Sequence, residues 1–352
     1  MCDYSAKIIC QTKSNSIRIL NSKKELENNK SLTLVNIPKY PLIHNVLKVC
    51  YSPILNHIGF IAQDSLHIEF YNSIKGDFIK IIHIPFLNPT DIYFSPKSKY
   101  IVVHGNDFNE ESQTIIYNYY TNKICVIIKQ EIKDASKICF SCDETIIIIC
   151  VKTNDNDIHT EILNIKSNTI VGKLNIPTEC VDFFSQHLNF CFSPNGKIIA
   201  GVMGKYLILW NNNTFENFLT KKIKVNTNGD NWLNTLCFNP NNVEIALGLF
   251  CGDVLIYNII NDTIKKLSNN SKFKLKKNKT PSINCIKFSD NGQYMITGDN
   301  HGMINVWNFL ENKIIDIIDS DLIYYQNSFE FFRDYHVMVN NNNSIQNIYV
   351  DF

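Results

Sequence analysis

Twelve cysteines and nine histidines are the residues of this chain that could do the most chemistry. Their placement argues for packing instead. Cys50, Cys139, Cys191 and Cys237 each stand immediately before an aromatic residue, at the same place in a recurring pattern. Zinc needs ligands converging within about 2.0–2.3 Å of one point, and ligands from separate repeats diverge. Cys139 and Cys142 form one CxxC with no second half. The histidines are dispersed and make no HExxH spacing. No Gly-x-Ser-x-Gly elbow, Walker loop or dinucleotide fingerprint is present. The carboxylates scatter over turns, so no acid–base pair can be nominated. The expectation is a chain without catalytic residues, metal or cofactor.

What remains is recognition chemistry. Lys272-Phe273-Lys274-Leu275-Lys276-Lys277-Asn278-Lys279 interleaves lysine with two apolar residues, and Lys265 and Lys266 lie just upstream. Such a segment suits RNA phosphates, an acidic peptide or an anionic lipid head. It equally suits a solvated loop. Trp232 is the one tryptophan outside the strand-ending series described below; it reads as a partner anchor or as packing on its own repeat. His301, in a turn beside Gly302, reads as a surface residue or a partner contact. The adjacent pair Phe183-Phe184 is a partner patch if exposed.

Elements that position these residues follow from a repeated phrase. Asn284 to Phe309 reads as three short strands joined by two turns, with Gly292 and the Asn300–Gly302 stretch supplying turn residues. An aromatic followed by a turn of Ser-Pro type recurs at Tyr51-Ser52-Pro53, Phe94-Ser95-Pro96, Phe140-Ser141-Cys142, Phe192-Ser193-Pro194, Phe238-Asn239-Pro240 and Phe288-Ser289-Asp290. The spacing, roughly 43 to 52 residues, suits a four-stranded unit. Most units reach an aromatic plus Asn, as in Tyr71-Asn72, Tyr117-Asn118, Trp210-Asn211, Tyr257-Asn258 and Trp307-Asn308; the Phe140 unit has Leu163-Asn164. A fourth strand is predicted at Phe78–His83, Ile124–Ile128, Thr169–Leu174, Ile223–Val225, Thr263–Leu267 and Ile314–Ile318.

This phrase resembles the WD40 repeat, the blade of a β-propeller, with Asn where that family has the Asp of its Trp-Asp pair. The Gly-His dipeptide is missing, so the family's Asp-His-Ser-Trp hydrogen-bond tetrad cannot form in the usual way. The resemblance implies an all-β fold: one propeller domain over residues 1–352, most simply of seven four-stranded blades, with eight as the alternative. Leu32–Ile37 would complete the closing blade beside three C-terminal strands, and the hairpin Lys7–Leu20 would be an addition packed nearby. It also implies a scaffold or adaptor binding other proteins in a larger assembly. An RNA- or ribosome-associated propeller using residues 272–279 is the alternative.

Composition narrows the setting. With 45% hydrophobic residues and a formal net charge of +1, the chain has material for a core and no long-range field toward nucleic acid. Arg18 and Arg333 are its two arginines, which disfavours sequence-specific DNA reading. No apolar run approaches the ~20 residues of a membrane span. No export signal is read at the N-terminus, so reduced thiols in the cytoplasm or nucleus are expected.

Overall fold

Each predicted unit becomes a meander because its short apolar runs are separated by residues that can turn the chain. The computed structural model describes residues 7–11, 17–21, 46–52, 54–62, 65–72, 77–86, 88–106, 112–128, 138–152, 158–180, 188–224, 232–267, 281–301, 303–319, 329–332, 336–341 and 344–349. Their regular structure is antiparallel strand apart from one 3-10 turn at Thr178–Cys180.

The chain groups into two compact units, residues 1–129 with 328–352, and residues 130–327. In the first, β1 (Lys7–Gln11) and β2 (Ile17–Asn21) form a hairpin. Two four-stranded sheets follow. One is β3 (Val46–Tyr51), β4 (His57–Ala62), β5 (His67–Asn72) and β6 (Phe78–His83); the other is β7 (Asn88–Phe94), β8 (Tyr100–Asn106), β9 (Ser112–Asn118) and β10 (Ile124–Ile128). The second unit holds four such sheets. They are β11 (Ile138–Phe140) to β14 (Thr169–Gly172) through β12 (Ile146–Lys152) and β13 (Ile158–Asn164), and β15 (Leu188–Phe192) to β18 (Asn217–Lys222) through β16 (Ile198–Met203) and β17 (Tyr206–Asn211). After these come β19 (Leu233–Phe238), β20 (Glu244–Leu249), β21 (Val254–Asn258) and β22 (Thr263–Lys266), then β23 (Ile283–Phe288), β24 (Tyr294–Asp299), β25 (Met303–Asn308) and β26 (Lys313–Asp319). β27 (Phe329–Phe332), β28 (His336–Asn341) and β29 (Ser344–Tyr349) make a three-stranded sheet back in the first unit.

One expectation changes. The fourth strand after Trp210 is Asn217–Lys222 and not Ile223–Val225, because the turn after Asn211 is short and Asn217 already pairs with Trp210. At the chain ends, β1 lies alongside β29. The hairpin is a two-stranded sheet of its own beside the C-terminal sheet. Leu32–Ile37 and Phe183-Phe184 lie outside the described residues.

The turns explain the repeated phrase. Ser193 Oγ donates to Asn195 Oδ1 at 2.8 Å and accepts the Ile198 N–H at 2.9 Å, bracing the first-to-second turn. Ser141 and Ser289 do the same with Asp143 and Asn291. Three residues past the anchor Ser or Asn the chain takes positive φ, at Ser98, Glu144, Gly196, Asn242 and Gly292. Gly292 is held close to the previous sheet: a Cβ there would come within 2.7 Å of Asn239 Oδ1. In five of the sheets the Asn ending the third strand is a turn cap. Asn258 Oδ1 accepts the N–H groups of Ile260 and Asn261 at 3.1 and 3.0 Å; Asn118 and Asn164 repeat this.

Alternation buries one face of each strand against the neighbouring sheet. First strands of consecutive sheets are neighbours: β3 with β7, β11 with β15, β15 with β19, and β19 with β23. Trp210 is fully buried and donates Nε1–H to Asn175 O at 2.9 Å. Gly201 makes room for it, since a Cβ there would meet the indole at 2.8 Å. Trp307 donates to Thr297 Oγ1 at 3.0 Å, so a strand hydroxyl still receives this indole although the usual tetrad has no histidine. At the sheet edges, lysines reach the next sheet. Lys80 of β6 donates to Tyr119 O and to Asn122 Oδ1, with its ammonium 3.5 Å over the Tyr119 ring. Lys221 of β18 pairs with Asp262, which also accepts Tyr257 Oη–H at 2.9 Å.

Candidate interaction face

Antiparallel pairing places the second-to-third turn, the chain entering the first strand and the chain leaving the fourth at one end of every sheet. In the second unit these ends are woven together. Trp232 leads into β19, and its carbonyl accepts the Phe250 N–H at 3.0 Å from the turn of its own sheet. The next residue, Leu233, donates its N–H to Gly204 O at 2.7 Å, in the corresponding turn of the preceding sheet. Trp232 is thus fixed between two turns, half-buried.

The weave continues to His301. The buried Asn234 side chain donates through Nδ2 to Ile283 O and Asn284 Oδ1, each at 2.9 Å, while the Asn234 backbone carbonyl accepts from Asn189 Nδ2 on the other side. Ser282 and Asn300 exchange backbone and side-chain bonds at 2.8 and 3.0 Å. Buried Asp299 accepts the N–H groups of His301 and Met303 at 2.8 and 2.9 Å, which shapes the turn carrying the imidazole. Two of the residues singled out in the sequence, Trp232 and His301, therefore stand at the same end of consecutive sheets. Lys272, Phe273, Lys274, Lys276, Lys277 and Lys279 lie outside the described residues.

Lysines gather at this end from strands far apart in sequence. Lys222 closes β18 opposite Tyr206, and the Ile223 N–H donates to Lys205 O at 2.8 Å, so Lys205, Lys222 and Lys224 are neighbours. On the following sheet, Lys266 pairs with Asp253 at 2.6 Å and Lys265 is exposed. Lys205, Lys222 and Lys224 escaped the sequence reading because the strand carrying Lys222 was expected later in the chain. The signal available was a lysine at the end of the fourth strand in two consecutive sheets, Lys222 and Lys266.

The cysteines are spread through the sheets. Cys139, Cys191 and Cys237 keep some accessible surface, yet burial of the thiol pushes Cys139 up to about 12 and the other two upward. Cys139 and Cys237 point at the carbonyls of the next residue, at 3.8 and 3.5 Å. Protonated thiols of this kind are poor nucleophiles and poor metal ligands. Among the described residues no group of three or more His, Cys, Asp or Glu is placed to hold a metal ion.

Six four-stranded antiparallel sheets of one design, with no helix among the described residues other than the 3-10 turn, define an all-β repeat protein whose architecture is consistent with a β-propeller. The family model described as WD domain, G-beta repeat, matches residues 269–308, and this match together with the six sheets fits a WD40-like propeller family. No curated protein matches the chain. WD40 domains generally bind other proteins, and their fold is generally non-catalytic. No helix of the described residues is long and apolar enough to cross a membrane.

Proposed function

We propose that this chain is a non-catalytic scaffold or adaptor within a multi-protein assembly, working in the cytoplasm or nucleus, and that the end of the second unit bearing Trp232 and His301 receives a partner. The observation that carries this is the fixed position of Trp232, tied through adjacent backbone to two turns at 3.0 and 2.7 Å. A half-exposed indole held this way loses little entropy on binding and is suited to be an interface anchor. A single closed ring is part of the proposal; β1 lying alongside β29 supports it, since it brings N-terminal and C-terminal strands together.

The test is quantitative copurification from the native cell with tagged wild type, Trp232→Ala and His301→Ala. A defined set of proteins should accompany the wild type, and Trp232→Ala should reduce it by about tenfold while the thermal midpoint stays within a few degrees. An identical set with both variants would remove this face from the function. A wild type that brings down no protein would end the scaffold reading.

A further inference from the structure

We propose that the Trp232 end of the second unit docks an acidic, extended segment of a partner protein, gripped by Lys205, Lys222, Lys224 and Lys265. This names the partner chemistry of the face described above and rests on that reading.

Charge distribution is the first argument. On the sheets β15–β18 and β19–β22, the described residues at this end include five lysines and one nearby acceptor carboxylate, Asp253, which Lys266 occupies at 2.6 Å. Among the described residues no carboxylate pairs with Lys205, Lys222, Lys224 or Lys265. At the opposite end of the same sheets, Glu216, Glu244 and Asp262 stand with Lys197, and Lys221 reaches in from β18 to pair with Asp262. Among the described residues of these two sheets, charge is therefore separated between the two ends. The end richer in lysine attracts an anion, and the attraction is strongest at low salt.

The kind of anion follows from the side chains. Four ammonium groups on flexible stems are point charges suited to carboxylates at varied positions. Single-stranded RNA is held by a positive groove along its phosphates together with bases stacked on open aromatic faces. Here the Tyr206 ring lies under Lys222, at 5.5 Å, and Trp232 is half-buried. The two clusters belong to consecutive sheets with Trp232 between them. This order, charge, apolar anchor, charge, matches an extended peptide with acidic residues on either side of one large apolar side chain.

The probe is a short fluorescein-labelled peptide of glutamates around a central phenylalanine, with oligouridine of equal length as competitor, titrated onto the full chain at low and physiological salt. Charge reversal at Lys222, Lys224 and Lys265 together should weaken peptide binding at least about tenfold. Lys197→Glu, at the opposite end, should leave it unchanged. The milder Lys224→Gln, which only neutralises an exposed side chain, should weaken it about two- to threefold and serves where the triple variant does not fold. The proposal is overturned if Lys197→Glu weakens binding as much, if neither lysine variant matters, or if oligouridine displaces the peptide at lower concentration than unlabelled peptide does. In copurification, partners kept by the triple variant but lost by Trp232→Ala would retain the scaffold reading and remove the acidic segment.

Discussion

Trp210 shows how much one side chain can carry. Its ring is fully buried, fills the space left by Gly201, and bonds to Asn175 O. Trp210→Phe keeps an aromatic but loses the donor and leaves a void. We expect a loss of about 2–4 kcal/mol, read from the denaturant midpoint. Gly292→Ala is smaller in volume but forces a Cβ into left-handed backbone against Asn239 Oδ1, and should cost about 1–2 kcal/mol in the same measurement. Lys80 makes a prediction in pH. Burial pulls its ammonium from 10.5 down to about 8. A base whose folded value lies below its unfolded value binds fewer protons when folded, so stability from this group rises with pH between about 8 and 10.5. Lys80→Met should flatten that rise in melts recorded across the window. A wild-type slope unchanged by the substitution would show that Lys80 stays protonated in the folded chain.

At the scale of elements, the first-to-second and third-to-fourth turns are the repeated joints. Asn258 caps its turn purely as an acceptor, toward Ile260 and Asn261. Asn258→Asp should therefore be close to neutral, whereas Asn258→Leu should cost about 1 kcal/mol in chemical denaturation. Most strands were legible in the sequence because period-two alternation and Ser or Asn turns bracket them: Phe78–His83 and Ile124–Ile128 match the structure to the residue. The strand after Trp210 was misplaced for a physical reason. Asn217–Lys222 is largely polar and faces solvent along an edge, so it lacks the apolar alternation that marks a buried strand, while the isolated Ile223 beyond it attracts the eye. The same misplacement hid Lys222. Trp232 was visible as a tryptophan out of phase with the repeat. What fixes it, backbone bonds from Leu233 to Gly204 and from Phe250 to Trp232, involves no side chain and leaves no mark on residue type.

For the molecule as a whole, the sheets repeat along the chain but its ends behave differently. β27, β28 and β29 belong with the N-terminal sheets, and β1 runs beside β29. Deleting residues 328–352 should therefore accelerate amide hydrogen exchange in Lys7–Gln11 while leaving β19 to β24 protected. Equal protection of Lys7–Gln11 in both chains would mean that the hairpin stands without the C-terminal strands. The two units also share their construction: first strands of successive sheets are neighbours in each, and edge lysines clasp the sheet that follows in each.

Five of the asparagines that close third strands have one more consequence. A carboxylate at such a corner gives up its acceptor strength once it picks up a proton, so a carboxylate-capped protein loosens joint by joint in acid. Asn118, Asn164, Asn211, Asn258 and Asn308 carry no proton to gain, so these caps themselves do not weaken by titration in acid.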